Sequence, residues 1–184
     1  MVTIHYLEMT SPSALRAKLA PRQDVVFARV LDPWPELSRF MYTVAGGDFY
    51  WVDRLPWTRA QWRAYLARPE LAVWLLSAGG LPAGYVELEA QPDGDVEIVY
   101  FGLAQRFTGQ GLGAHLLTSS VRRAWDMGAK RVWLHTCSLD HPAALPNYVA
   151  RGFREYRVET VQKLLPPEPY GTWPATDGTR TKDP

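Results

Sequence analysis

The sequence predicts an α+β fold: a central, mostly antiparallel, twisted sheet flanked by helices. Three observations carry this prediction. First, three short apolar or alternating runs, at 71–80, 81–90 and 95–104, are divided by Gly79-Gly80 and Pro92-Asp93-Gly94, and read as an antiparallel meander. Second, helix-period runs lie before the meander. Third, after it comes a strand–helix–strand–helix–strand order, opened by the glycine-rich stretch "QRFTGQGLGAHLL" (105–117). At 184 residues the chain is long enough to bury a core without disulfides or metals.

Taken in order, "VTIHYLEM" (2–9) reads as a strand and "SPSALRAKLA" (11–20) as a capped helix with Pro12 in its first turn. "DVVFARVL" (24–31) fits a strand or a helix equally. "PELSRFMYTVAGG" (35–47) is helical up to Gly46-Gly47. The run 58–69 is a second helix, with Thr58 as N-cap and Trp62, Tyr65 and Leu66 on one face. After the meander, 112–127 is a helix whose apolar stripe is Leu112, Leu116, Leu117, Val121, Ala124 and Trp125, ended by Gly128. "KRVWLHTCS" (130–138) is a strand, 141–152 a helix stopped by Gly152, and 153–165 one or two strands. Strand 95–104, helix 112–127 and strand 130–138 form a right-handed crossover, so the two strands should run parallel. From Pro166 to Pro184 the composition is that of a loosely attached or disordered tail.

Composition narrows the function classes. A net charge of +1 does not suit a nucleic-acid binder, and no apolar run approaches the ~20 residues of a membrane helix. The first residues lack a basic region followed by an apolar one, which leaves the cytoplasm as the expected location. Cys137 is the single cysteine, so no intramolecular disulfide forms. The four histidines and this cysteine show no zinc-like spacing, and no metal is expected.

The glycine loop invites three readings. A P-loop needs Lys and Ser/Thr after its last glycine, and neither is present. The dinucleotide fingerprint matches loosely as Gly109-Gln110-Gly111-Leu112-Gly113-Ala114, yet the next strand ends without the carboxylate that would bind a ribose. What remains is general: glycines permit close backbone approach, and the free N–H groups of a helix start favour an anion such as a pyrophosphate. A glycine turn that merely packs helix on sheet stays open beside it.

The same residues resemble the GNAT superfamily of acetyl-CoA-dependent N-acetyltransferases. Its [Q/R]-x-x-G-x-[G/A] signature matches Arg106 to Gly111, and its fourth-helix pattern A-x-x-x-Y-x-x-x-G-F matches Ala144, Tyr148, Gly152 and Phe153. "EIVYFGLAQRFTGQGLGAHLL" also looks like the histone-acetyltransferase branch, Glu97 included. The resemblance covers residues ~70–165. It implies a single acetyltransferase domain over 1–165, with 1–69 as the variable substrate side and 70–165 as the acetyl-CoA-binding core.

Further implications of the resemblance are specific. The backbone around Phe101 and Leu103 would pair with the pantetheine arm. The N–H groups of Arg106, Phe107, Thr108, Gly109, Gln110, Gly111, Leu112 and Gly113 would cradle the pyrophosphate. Tyr148 would protonate the departing thiolate, and Glu97 would take the proton of an acceptor amine, directly or through water. The acceptor would be a small molecule, peptide or protein, and the chain a monomer or a homodimer paired through an edge strand. A non-catalytic acyl-CoA sensor is the alternative. His141 stands where many relatives have an Asn that helps hold pantetheine.

Several residues keep plainer readings. Alternation puts Glu97 on one face with Val99 and Phe101, where it would otherwise be a solvated carboxylate. Tyr148 would otherwise be a core tyrosine. His135 is structural or a second base, His115 is solvated, and Cys137 is a buried inert thiol. The tryptophans at 34, 51, 57 and 62 form a core or line an acceptor pocket. Asp48 and Asp53 recognise a cation, cap, or pair with Arg54.

Overall fold

The computed structural model describes residues 1–171. Seven strands form one sheet: β1 (Val2–Met9), β2 (Val25–Arg29), β3 (Leu71–Ala78), β4 (Leu81–Ala90), β5 (Asp95–Leu103), β6 (Arg131–Cys137) and β7 (Arg154–Val161). Their spatial order is β2-β3-β4-β5-β6-β1-β7. The meander pairs antiparallel as expected, and β5–β6 is parallel, as the intervening helix requires. Residues 24–31, equivocal by pattern, become edge strand β2.

Four helices cover the sheet: α1 (Pro35–Gly46), α2 (Arg59–Leu66), α3 (Leu112–Asp126) and α4 (Ala144–Ala150). Pro35 occupies the first turn of α1. Thr58 opens α2 with a reciprocal cap: its hydroxyl accepts from the Gln61 N–H at 3.2 Å, and the Gln61 side chain accepts from the Thr58 N–H at 2.8 Å. Leu112, Leu116, Leu117, Val121 and Ala124 of α3 are fully buried against one face of the sheet, with Leu7, Leu76, Val86, Leu88, Ile98 and Leu134. On the opposite face Met41, Tyr42 and Ala45 of α1 and Trp62 and Leu66 of α2 pack with Leu71 and Tyr85.

The expected helix over 11–20 does not form. A single 3-10 turn spans Pro12–Ala14, and Leu15 is already extended. The segment then runs beside α3 and α4, which supply its hydrogen bonds. The Arg16 N–H donates to the Arg151 carbonyl at 2.9 Å, and the Lys18 N–H to Thr118 Oγ1 at 3.0 Å. The Ala20 N–H donates to His115 Nδ1 at 3.1 Å. With its polar groups satisfied from outside, an extended backbone needs no helix. His115 is therefore a half-buried acceptor rather than a solvated side chain, and its partial burial lowers its pKa, assisted by Arg122. Gly152, which ends α4, has φ +103°, and a Cβ there would lie 2.0 Å from the Ala14 carbonyl oxygen. The glycine thus stops the helix and admits this crossing segment.

The N-terminal strand β1 lies inside the sheet. It pairs antiparallel with β6 from Ile4↔Cys137 to Met9↔Val132, and with β7 from Val2↔Val161 to Glu8↔Arg154. Leu7 and Met9 face the α3 core, and β7 becomes the sheet edge. Of the expected tail 166–184, residues 172–184 lie outside the described residues. Within the described part, the Gly171 N–H donates to the Gly47 carbonyl at 3.0 Å.

Candidate active site

Two local irregularities open the sheet between β5 and β6. The strands pair only from Asp95↔Arg131 to Glu97↔Trp133. Beyond that point β5 continues along β4 to Leu103 while β6 continues along β1 to Cys137, so the sheet forks. The second irregularity is a bulge: Glu87 faces Tyr100 but Leu88 faces Ile98, leaving Val99 without a partner on β4.

The bulge resets the alternation. Val96 and Ile98 face the α3 core, Tyr100 packs into the α1/α2 core, and Phe101 and Leu103 return to the α3 side. Glu97, opposite to Val96 and Ile98, lies on the α1/α2 side. Phe101 is therefore on the other face from Glu97, contrary to simple alternation.

A cavity of about 590 Å³ passes through this fork. On the α3 side it is lined by Phe101, Leu103, Thr108, Gly109, Gly111, Gly113, Asn147 and Tyr148. On the α1/α2 side its walls include Phe49, Tyr50, Trp51, Asp53, Arg54, His135 and Cys137, and Val2, Ile4, Val161 and Lys163 line it too. The Lys163 ammonium meets Asp53 at 3.2 Å, so the chain leaving β7 crosses this mouth.

The glycine loop supplies a row of donors. Gly109 and Gly111 have φ +74° and +77°, and a Cβ on either would meet nothing within 4 Å. Backbone conformation, rather than packing, requires glycine there. With the chain so turned, the N–H groups of residues 109 to 114 find no acceptor among the described residues. They sit at the positive end of the 15-residue α3. Thr108, Gly109, Gly111 and Gly113 reach the cavity, whereas Phe107 and Leu112 bury their side chains in the core. Arg106 and Gln110 contribute no side chain to the lining. Gln110 Oε1 instead accepts from Arg22 at 2.9 Å, and Arg22 is locked to Asp24.

Tyr148 is 6% exposed, with its ring edge-on to Phe101 at 5.8 Å and Phe153 at 6.3 Å. Its hydroxyl makes no side-chain hydrogen bond among the described residues, and the residue lines the cavity. Burial, and then the negative charge of Asp140, hold its pKa far above that of an ordinary phenol. It therefore carries its proton at every physiological pH. The neighbouring Asn147, which no motif marked, lines the cavity too and donates to the Gly113 carbonyl at 3.3 Å, tying α4 to α3. His141 lies against Phe49, ring to ring at 5.4 Å.

Glu97 stands at the base of the fork and is not among the cavity-lining residues. One carboxylate oxygen accepts from Gln91 Nε2 at 2.7 Å, and the other lies 3.7 Å from His135 Nδ1. His135 does line the cavity. Cys137 lines it as well, half-buried, with its thiol pKa raised by burial and by Asp140. Asp53 pairs with Lys163, and Arg54 with Glu87. Of the tryptophans, Trp51 lines the cavity, Trp62 is core and Trp34 is exposed. Among the described residues no cluster of three or more His, Cys, Asp or Glu side chains is placed to hold a metal ion. None of the described helices is long and apolar enough to cross a membrane.

The sheet is thus forked, with a donor-rich helix start on one side of the fork and an aromatic wall on the other. The family model described as acetyltransferase (GNAT) family matches residues 34–153, and the chain belongs to that family. The match takes in α1 and α2 as well as the motif-bearing core. No curated protein sequence matches the chain.

Several solved structures share the fold. A GCN5-related N-acetyltransferase from Kribbella flavida superposes with a TM-score of 0.61 at 21% identity, over 83% of this chain and 54% of that one. Another from Sphaerobacter thermophilus gives 0.66 at 16% identity, over 85% and 49%. The chain thus spans about half the length of these two proteins. An aminoglycoside acetyltransferase from an uncultured soil metagenomic sample gives 0.64 at 14% identity, over 77% of this chain and 97% of that one.

Proposed function

We propose that this chain transfers the acetyl group of acetyl-CoA to an amine of a small molecule, peptide or protein. The observation that carries the reading is the row of N–H groups from 109 to 114, without acceptors and at the start of α3, opening into the cavity at the fork. A pyrophosphate suits that row, because its oxygens accept several N–H bonds and its charge meets the positive helix end. The β5 edge at Phe101 and Leu103, no longer paired to β6, is free to bond the amide-bearing pantetheine arm like an added strand. This places the thioester near Tyr148, with the α1/α2-side mouth left for the amine.

An ammonium ion has no lone pair, so a proton must first leave the acceptor. The neutral nitrogen then attacks the thioester carbonyl, the C–N bond forms, and the C–S bond breaks with its electron pair on sulfur. Tyr148 gives its proton to the thiolate. The surplus proton of the new amide nitrogen restores the phenol. Glu97 supplies the negative charge that draws off the first proton, and because it lies behind the cavity wall it acts through a group that reaches the amine.

The test pairs ligand-induced stabilisation with thiol release. Acetyl-CoA and CoA at about a hundred times Kd should raise Tm by about 5–10 °C, and NAD should not. Free thiol should then accumulate when the correct amine is supplied. Stabilisation by acetyl-CoA with no turnover on any amine would favour an acyl-CoA sensor instead.

A further inference from the structure

Resting on the acetyl-transfer reading, we propose that His135 is the base that touches the acceptor amine, and that Glu97 is a positioning residue acting through it. The geometry separates the two roles. His135 lies on β6 beyond the fork, on the α1/α2 side, about half exposed and in the cavity wall. Glu97 lies on β5 at the base of the fork, 14% exposed and outside the lining. A substrate in the cavity therefore meets the imidazole first.

The carboxylate is held from behind. Trp133 Nε1–H donates to Gln91 Oε1 at 3.0 Å, which fixes the direction of the Gln91 amide, since an indole only donates. The Gln91 NH2 therefore points at Glu97 and donates to Oε2 at 2.7 Å. Glu97 Oε1, the oxygen left over, is the one that faces His135 Nδ1 at 3.7 Å. At 3.7 Å the two atoms are within ion-pair reach and not hydrogen-bonded; in the proposed reaction Nδ1–H turns to the carboxylate and Nε2 takes the substrate's proton.

The remaining surroundings keep the ring in place. Tyr6 on β1 lies 5.9 Å from the imidazole and Trp133 on β6 lies 6.4 Å from it, centroid to centroid. Tyr6 donates its own proton to Glu159 on β7 and lies under the Arg157 guanidinium, so it competes for neither imidazole nitrogen. In the reaction Nε2 takes one proton from the substrate ammonium, the imidazolium is steadied by Glu97, and that proton passes to solvent after the product leaves.

Steady-state thiol release, with and without added imidazole, tests this on a double-mutant cycle of the full chain. His135→Ala should lower kcat by about a hundredfold or more, leave the acetyl-CoA Kd unchanged, and regain part of its rate in imidazole. Glu97→Gln should cost about tenfold in the wild-type background and nothing further in His135→Ala, because it acts only through the missing ring. Tyr148→Phe should not respond to imidazole. Wild-type rates in His135→Ala, or an undiminished Glu97→Gln loss in the His135→Ala background, would overturn the assignment. A wild-type chain that neither binds acetyl-CoA nor releases thiol would overturn the acetyl-transfer reading itself.

Discussion

Tyr148→Phe is expected to lower turnover by about a hundredfold to ten-thousandfold while leaving acetyl-CoA affinity within about twofold. The substitution keeps the ring that packs between Phe101 and Phe153 and removes only the oxygen. That oxygen makes no side-chain hydrogen bond among the described residues, so its loss costs the fold little. What disappears, on the proposed mechanism, is the proton for the leaving sulfur.

A phenol held far above its usual pKa looks a poor acid for a thiol that is ordinarily more acidic. On the proposed mechanism the mismatch narrows, because a thiolate departing beside Tyr148 would be buried too, and burial raises a thiol's pKa for the same reason. Stopped assays of thiol release, with calorimetric titration alongside, separate the two effects. Equal kcat in the variant would remove Tyr148 from the mechanism.

Glu87→Ala should destabilise the chain by about 3–5 kcal/mol, a fall in Tm on the order of 10 °C. Glu87 is fully buried on β4 and accepts from Arg54 at 2.8 Å and from the Tyr65 hydroxyl at 2.7 Å. Arg54 also donates to Tyr65 at 2.7 Å, and its guanidinium lies 4.0 Å from the Tyr65 ring and 4.3 Å from the Tyr100 ring. Removing the carboxylate leaves a buried cation held by the neutral Tyr65 hydroxyl and by aromatic faces, which replace a small part of the lost attraction. The second Glu87 oxygen has no partner among the described residues, so the pair's desolvation is incompletely offset even in the native chain.

The consequence reaches the site, because Arg54 lines the cavity beside Trp51. Urea unfolding measures the loss directly: the midpoint should fall with an unchanged m-value. A midpoint within experimental error of wild type would mean that Arg54 finds water, and that the pair is not sealed.

Much of this was legible locally. The Gly-Gly and Pro-Asp-Gly punctuation placed β3, β4 and β5, the stripe of Leu112, Leu116 and Val121 placed α3, and the capping residue Thr58 placed α2. The glycine loop was legible because left-handed backbone leaves a mark in composition. Features set by partners were not. The bulge at Val99 depends on how β4 and β5 pair, and it alone decides that Phe101 leaves the face of Glu97. The insertion of β1 between β6 and β7 is a tertiary choice that makes Val2 and Ile4 part of the cavity wall. Residues 11–20 carry a convincing helix start, but Thr118, His115 and Arg151 offer the backbone other partners. The approach of His135 to Glu97 exists only because two strands distant in sequence part where they do.

On the proposed function, the N–H groups opening α3 hold the pyrophosphate of CoA at the fork of the sheet. Calorimetric titration of the chain with acetyl-CoA, and separately with acetyl-pantetheine, tests it most directly, because the second ligand keeps the thioester arm and lacks the pyrophosphate. Acetyl-CoA should bind saturably and one-to-one, and acetyl-pantetheine about a hundredfold more weakly, the worth of about two charge-assisted hydrogen bonds. Equal affinity for the two ligands, or no heat with acetyl-CoA, would contradict it.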